Sequence, residues 1–203
     1  MESYLNYGVT LQEAQRRFCT RDLAEIAASA GAALTDSGEV ELQFLNRLYY
    51  VNQAGEVRTA GEGDVRISFK ILLLHYLLHA EGVKVEGKPI SFKELPGGAI
   101  YIGPFTNRAI RPLINIFGAN PGELFECGKL LGAEPAGYGD VSVMVNAFPR
   151  VPVTLVLWAG DDEFPPAGNI LFDVSAAHYL PTEDYAVLAG MIVMELKHLK
   201  PGD

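Results

Sequence analysis

The spacing of hydrophobic residues changes along the first quarter of the chain. Near the N-terminus, Leu11, Ala14 and Phe18 recur at helical spacing, and a second short helix is predicted over residues 22–30. Over residues 39–51, apolar and polar side chains alternate around a central turn signal. The chain is therefore predicted to begin with two helices, followed by a small antiparallel meander.

A very apolar helix is predicted over residues 65–80. Its centre is apolar on nearly every side, which is typical of a helix that packs on several faces. At about 100° per residue, Asp64, His75 and His79 fall on one narrow stripe. The two histidines are therefore expected to share a polar seam on an otherwise buried element.

Proline and glycine divide the rest of the chain. Residues 99–102 are predicted as a short strand, and Pro112 must kink or split the helical stretch around it, because a proline removes one backbone hydrogen bond. Two runs rich in β-branched residues, 141–147 and 153–158, predict an antiparallel pair. The connection between them, 148–152, is a stiff turn that contains two prolines.

Two further helices are predicted, one from Asn120 to Gly132 and one from Thr182 onward. Because helices and antiparallel strands are segregated along the chain, the predicted fold class is α+β. We expect antiparallel hairpins and a meander packed with about six helices in a single compact domain over 1–203. The alternative is two closely packed lobes, 1–135 and 136–203.

The composition excludes several classes of protein. With 49% hydrophobic and 20% charged residues, the chain is too apolar to be disordered. Its net charge of −9 argues against binding to nucleic acid or to anionic membranes. No apolar run approaches the roughly 20 residues of a membrane span, and residues 1–4 show no secretory signal. We therefore expect a soluble cytoplasmic protein, and its oligomeric state stays open.

The two cysteines, Cys19 and Cys127, lie far apart, each in a predicted helix. An iron–sulfur cluster usually needs four thiolates, so this chain alone is not expected to hold one. Two buried thiols are the favoured interpretation, since free cysteine behaves as a small apolar residue.

His75 and His79 form a candidate metal site. Their i, i+4 spacing allows two imidazoles to bind one divalent metal ion. The HExxH form of this pair is absent, because Tyr76 stands where a glutamate is needed. A third ligand would have to be Asp64 or a distant acid. The alternative is two histidines that are hydrogen-bonded at a helix seam.

The last third of the chain carries a second group of candidates. Asp161 and Glu163 lie in an acidic loop between Trp158 and Asp173. Such carboxylates suit Mg²⁺ or Ca²⁺, although an acidic turn beside prolines is also an ordinary solvated loop. Arg150 lies between two prolines, so its guanidinium is suited to binding a carboxylate or phosphate. An internal ion pair with Asp161 or Asp173 is an equal alternative.

No complete catalytic motif is present, whether a phosphate-binding loop, a dinucleotide fingerprint or a GxSxG turn. The favoured function is a non-catalytic module that binds a small anionic molecule or a protein partner. Its predicted ligand-binding residues, expected to meet at one hollow, are Arg150, Trp158, Asp161, Glu163 and Asp173. The alternative is a metal-dependent hydrolase or transferase that uses His75, His79 and a carboxylate.

Two stretches, 71–98 and 148–173, followed by His178-Tyr-Leu-Pro-Thr-Glu-Asp184, resemble the bacterial family known as domain of unknown function 3786. The resemblance covers most of the chain, from about Leu11 to Leu199. It implies a setting in anaerobic bacteria, and some members carry an N-terminal iron–sulfur segment like one in corrinoid iron–sulfur proteins. With only two cysteines, this chain would serve such a cluster as an accessory subunit to another polypeptide. The family offers no established catalytic residues to transfer.

Overall fold

The computed structural model describes residues 7–61 and 63–200, which contain seven α-helices and nine β-strands. The helices are α1 (Tyr7–Phe18), α2 (Leu23–Ala30), α3 (Ile67–His79), α4 (Gly98–Phe105), α5 (Arg111–Phe117), α6 (Gly122–Leu130) and α7 (Thr182–His198). The strands are β1 (Ala33–Leu34), β2 (Val40–Phe44), β3 (Arg47–Val51), β4 (Val57–Thr59), β5 (Pro89–Ser91), β6 (Glu134–Pro135), β7 (Val141–Phe148), β8 (Val151–Trp158) and β9 (Ala167–Asp173). Residues 1–4, where no secretory signal is expected, lie outside the described residues.

The strands form two antiparallel sheets. One has the order β1-β2-β3-β4, and the other has the order β5-β9-β8-β7-β6. The first is the predicted meander, and the second is built around the predicted β7–β8 pair. The α+β class, with antiparallel hairpins and a meander packed with helices, is therefore confirmed.

Short-range signals in the sequence explain several boundaries. Asp22 caps α2 by accepting hydrogen bonds from two backbone N–H groups, and Gly31 ends the helix with a φ of 67°. The prediction of a strand at 99–102 is wrong, because these residues lie in α4. A four-residue apolar run does not by itself distinguish a strand from a buried helical segment.

The two sheets share one hydrophobic core. The tight turn between β2 and β3 places Leu45 and Asn46 at positive φ, 47° and 60°. The backbone N–H of Leu45 donates to the carbonyl of Ala147 in β7 at 3.0 Å, and the Leu45 side chain is buried. The buried hydrophobic cluster includes residues from both sheets and from the helices. The turn therefore connects the sheets through both its backbone and its side chain.

Helices α3 and α7 lie antiparallel to each other. Arg66, just before α3, is 3.0 Å from Glu195 near the end of α7. His75, near the end of α3, is 2.7 Å from Asp184 at the start of α7. These two pairs fix the direction of the helices relative to each other. No helix in the described ranges has the length and apolar character needed to cross a membrane.

Candidate functional site

Arg150 and Trp158 lie at opposite ends of one strand. Arg150 immediately precedes β8, and Trp158 is its last residue. At about 3.3 Å per residue, the two residues are roughly 25 Å apart. Arg150 instead packs beside Gly31, and its backbone hydrogen-bonds to the hydroxyl of buried Tyr76. The expectation that both residues meet at one hollow is therefore wrong, because an extended strand separates them.

Asp173 is held by hydrogen bonds from the protein itself. It ends β9 and is 5% exposed. Its carboxylate accepts from the backbone N–H groups of Glu86 (3.1 Å) and Lys88 (3.0 Å). It also accepts from the backbone N–H (3.0 Å) and the hydroxyl (2.6 Å) of Ser175. Burial raises the pKa of Asp173, but the hydrogen bonds from Ser175 and Glu86 outweigh burial and hold this pKa below its usual range.

Asp161 and Glu163 lie near Trp158, in an exposed loop. The Asp161 carboxylate accepts from the backbone N–H groups of Phe164 (2.7 Å) and Glu163 (2.9 Å), and these bonds lower its pKa. The loop borders an open hollow of about 610 Å³. The structure therefore assigns the Asp161 side chain a role in shaping the turn, and ligand binding by this loop stays a prediction.

The two histidines of α3 are hydrogen-bonded at a seam. Nδ1 of His75 lies 2.7 Å from Oδ2 of Asp184, and Nδ1 of His79 lies 2.8 Å from the carbonyl oxygen of His75. Asp64, one of the two suggestions for a third metal ligand, pairs instead with Lys70 at 2.7 Å. Within residues 7–61 and 63–200, no three His, Cys, Asp or Glu side chains are grouped as a metal site requires. None of the described residues therefore supplies a third ligand for a metal ion bound by His75 and His79.

A groove of about 610 Å³ lies beside this seam. Helices α1 and α3 line one side, and α7 with the segment 106–110 lines the other. Its apolar lining includes Leu72, Val187, Met191 and Met194. We call this space the α3–α7 groove. Ligand pockets in proteins are typically of this size and are lined by apolar side chains with a few polar groups.

The segment that carries Arg108 into the groove is a π-helical turn, Thr106–Ile110. The N–H of Arg111 bonds to the carbonyl of Thr106, which is the i to i−5 pattern. Pro112 explains the change of helix type, because it has no N–H to donate to the carbonyl of Arg108. The predicted break at Pro112 is therefore present, as a π turn that leads into α5.

Gly190 in α7 allows the π turn to approach closely. A Cβ atom at this position would lie 3.0 Å from the carbonyl oxygen of Arg108. A side chain here would push the π turn outward, so the lack of one keeps Arg108 against the groove. Arg108 is an exposed side chain that lines the groove.

Most charged side chains of the groove are already paired. Glu195 is 5% exposed and binds Arg66 at 3.0 Å, with Arg47 at 3.6 Å on its other oxygen. Asp184 binds His75. Glu183 accepts a hydrogen bond from Tyr101, which raises the pKa of that tyrosine. Among the lining residues described, Arg108 is the cation without an acidic partner.

Sequence reasoning found His75 but missed Asp184 and Arg108. Asp184 lies 109 positions after His75 in the sequence, and no local sequence pattern predicts a contact between the two residues. Arg108 had an indirect signal, since a glycine in the middle of a helix often marks a close approach of another backbone. Gly190 is that glycine, and Pro112 marks the segment that approaches it.

The structure defines an α+β protein with a ligand-sized groove between two antiparallel helices. The chain belongs to the family described as Domain of unknown function (DUF3786), whose model matches residues 22–195. The resemblance seen in the sequence is thereby confirmed. The groove residues on α3, the π turn and α7 all lie inside the matched range. No curated protein and no solved structure matches the chain.

Proposed function

We propose that this protein binds a small amphipathic anion in the α3–α7 groove. The apolar part of the ligand lies along Leu72, Met191 and Met194, and its anionic group contacts Arg108. The proposed ligand is still a small anionic molecule, as the sequence predicts. The proposed site is now this groove and no longer the ends of β8. The observation that carries the proposal is an arginine without an acidic partner among the described residues, on the wall of a largely apolar groove.

Charge pairing favours an anion over a cation as the ligand. Glu195 is already paired with Arg66, and Asp184 is already hydrogen-bonded to His75, so a bound cation would find few free carboxylate oxygens. An anion would gain a charge-assisted hydrogen bond from Arg108 without breaking an existing pair. Such a bond contributes about 1.5–3 kcal/mol, which corresponds to roughly 10–150-fold in affinity.

We also propose a cytoplasmic, bacterial setting for this role. Cys19 and Cys127 are both free thiols, and the expected burial holds for Cys127 but is wrong for Cys19, which is exposed. Free thiols are typical of reducing compartments. The family resemblance supports anaerobic bacteria as the source.

The proposal is tested with 8-anilinonaphthalene-1-sulfonate (ANS), a fluorescent molecule with an apolar body and one sulfonate. We expect saturable binding to the folded protein and an affinity at least about tenfold lower in Arg108→Ala. Arg111→Ala is the matched control, because Arg111 is also exposed but does not line the groove. Octanoate should displace ANS, whereas octylamine should not. Equal affinities for wild type and Arg108→Ala, or equal displacement by both octyl compounds, would refute the proposal.

A further inference from the structure

One histidine in the groove is oriented by a partly buried carboxylate. Nδ1 of His75 lies 2.7 Å from Asp184, whose side chain is 13% exposed, while that of His75 is 21% exposed. A carboxylate at Nδ1 holds the proton on that nitrogen and leaves Nε2 as the acceptor. The pair therefore resembles the orienting half of a catalytic histidine site.

The second nitrogen of His75 is available to a bound molecule. No described residue hydrogen-bonds to Nε2, and no buried side-chain nitrogen or oxygen in the described ranges lacks a partner. Nε2 is therefore accessible, and His75 lines the groove. The neighbouring His79 is hydrogen-bonded elsewhere: its Nδ1 bonds to the backbone carbonyl of His75 and not to Nε2 of the His75 ring.

We propose that His75 is the general base of a hydrolytic site in the α3–α7 groove, with a carboxylic ester of a short apolar acid as substrate. This inference rests on the proposed function, since the carboxylate product is itself a small amphipathic anion. Water is the nucleophile in the proposed reaction. Ser68 is two helical turns away, about 10 Å along α3. Neither Cys19 nor Cys127 lines the groove.

The proposed reaction conserves every proton and electron pair. Nε2 of His75 takes a proton from water while the water oxygen forms a bond to the ester carbonyl carbon. The carbonyl electron pair moves to oxygen, and the resulting oxyanion faces the positive charge of Arg108. When the bond to the alcohol oxygen breaks, that oxygen takes the proton from Nε2. The products are a carboxylic acid, which ionises in water, and an alcohol.

Arg108 is within reach of this chemistry. Its backbone contacts Gly190, which is six residues after Asp184 in α7, or about 9 Å along the helix axis. A long arginine side chain covers much of that distance. The acyl chain then lies along Met191 and Met194, on the same wall of the groove.

The chain provides an internal control for the pair. Nδ1 of His178 lies 2.6 Å from Glu81, with side chains 46% and 61% exposed. This second histidine–carboxylate pair has the same chemistry but does not line the groove. If an exposed imidazole were enough for ester hydrolysis, both histidines would contribute.

The test is the hydrolysis of p-nitrophenyl butyrate by the full chain, followed by release of nitrophenolate. We expect His75→Gln to lower kcat by at least about 100-fold and to change KM by less than about threefold. Asp184→Asn should lower kcat by about tenfold or more, because it no longer holds the Nδ1 proton in place. His178→Ala should stay within about twofold of wild type. Cooperative thermal unfolding and ANS affinity are measured for each variant to establish that it is folded.

Two results would overturn the inference while leaving ligand binding intact. The first is a wild-type rate no higher than that of free imidazole at the same concentration, with ANS still bound. The second is an equal loss of activity in His75→Gln and His178→Ala, which would show unspecific catalysis by exposed imidazoles. If the wild-type protein does not bind ANS, the proposed function itself is refuted.

Discussion

Replacement of Asp173 tests whether its carboxylate stabilises the fold or serves a ligand. In Asp173→Ala, the N–H and hydroxyl of Ser175 lose their acceptor, and Ser175 is 2% exposed. Each buried donor left without a partner costs about 1–3 kcal/mol. The N–H groups of Glu86 and Lys88 belong to exposed residues, so water can replace the carboxylate there. We expect a loss of about 3 kcal/mol in the free energy of unfolding.

Asp173→Asn should be milder, because three of the four hydrogen bonds go to the same oxygen. Oδ1 accepts from Glu86 and from both donors of Ser175, and an amide oxygen can take its place. The bond from Lys88 to Oδ2 is lost, since an amide NH₂ cannot accept it. The expected cost is about 1–1.5 kcal/mol. Glu86→Ala is the control, because the pair of Glu86 with Lys88 is exposed and its loss should cost under about 0.5 kcal/mol.

Urea unfolding followed by far-UV circular dichroism measures these differences. The pKa of Asp173 is lowered in the folded protein, so its stabilising effect is present above the pKa of an unfolded aspartate and is lost as pH falls through the folded value. The gap between wild type and Asp173→Asn should therefore be constant from pH 5 to 7 and shrink below about pH 4. A cost under about 1 kcal/mol for Asp173→Ala would refute the structural role and favour the predicted ligand role.

Two further predictions concern the walls of the groove. Gly190→Val should displace the π turn, destabilise the protein by about 1–3 kcal/mol and weaken ANS binding. Gly103→Ala in α4 meets nothing within 4 Å, so it should stabilise by about 0.5–1 kcal/mol in thermal unfolding; similar effects of both variants would contradict the close approach at Gly190. Glu195→Gln should cost about 1–2 kcal/mol in urea unfolding, because the buried side chain loses its charge and the amide NH₂ cannot accept from the second arginine. The exposed pair of Glu126 with Lys129 gives the control, Glu126→Gln, which should cost under about 0.5 kcal/mol; equal costs would show that Glu195 is only a surface charge.

The fold could be predicted where the pattern is local. Asp22 and Gly31 mark both ends of α2, and the alternation after residue 39 marks the meander, because caps and two-residue periods are properties of neighbouring residues. The prediction of a strand at residues 99–102 was wrong because the local pattern there is ambiguous. Their apolar run fits a strand or a buried helix equally well, and the choice depends on packing against α7.

The candidate site was less predictable, because its parts come from distant segments. The stripe on α3 correctly brought His75 and His79 together at a polar seam, but their partners lie on other elements or on the backbone. Arg150 and Trp158 were predicted to lie in one site because they are close in sequence, in the same predicted hairpin. Eight steps of extended strand place them at opposite ends, so proximity in sequence was misleading.

The two pairs that join α3 to α7 also have a consequence for folding. They connect residues separated by 109 and 129 positions, which makes the groove one of the most non-local features of the described chain. Contacts of such long range carry a large loop-closure entropy and slow the folding of small domains. A fragment that ends before α7 therefore lacks one whole wall of the groove. During synthesis, the site is completed only when the last helix has docked.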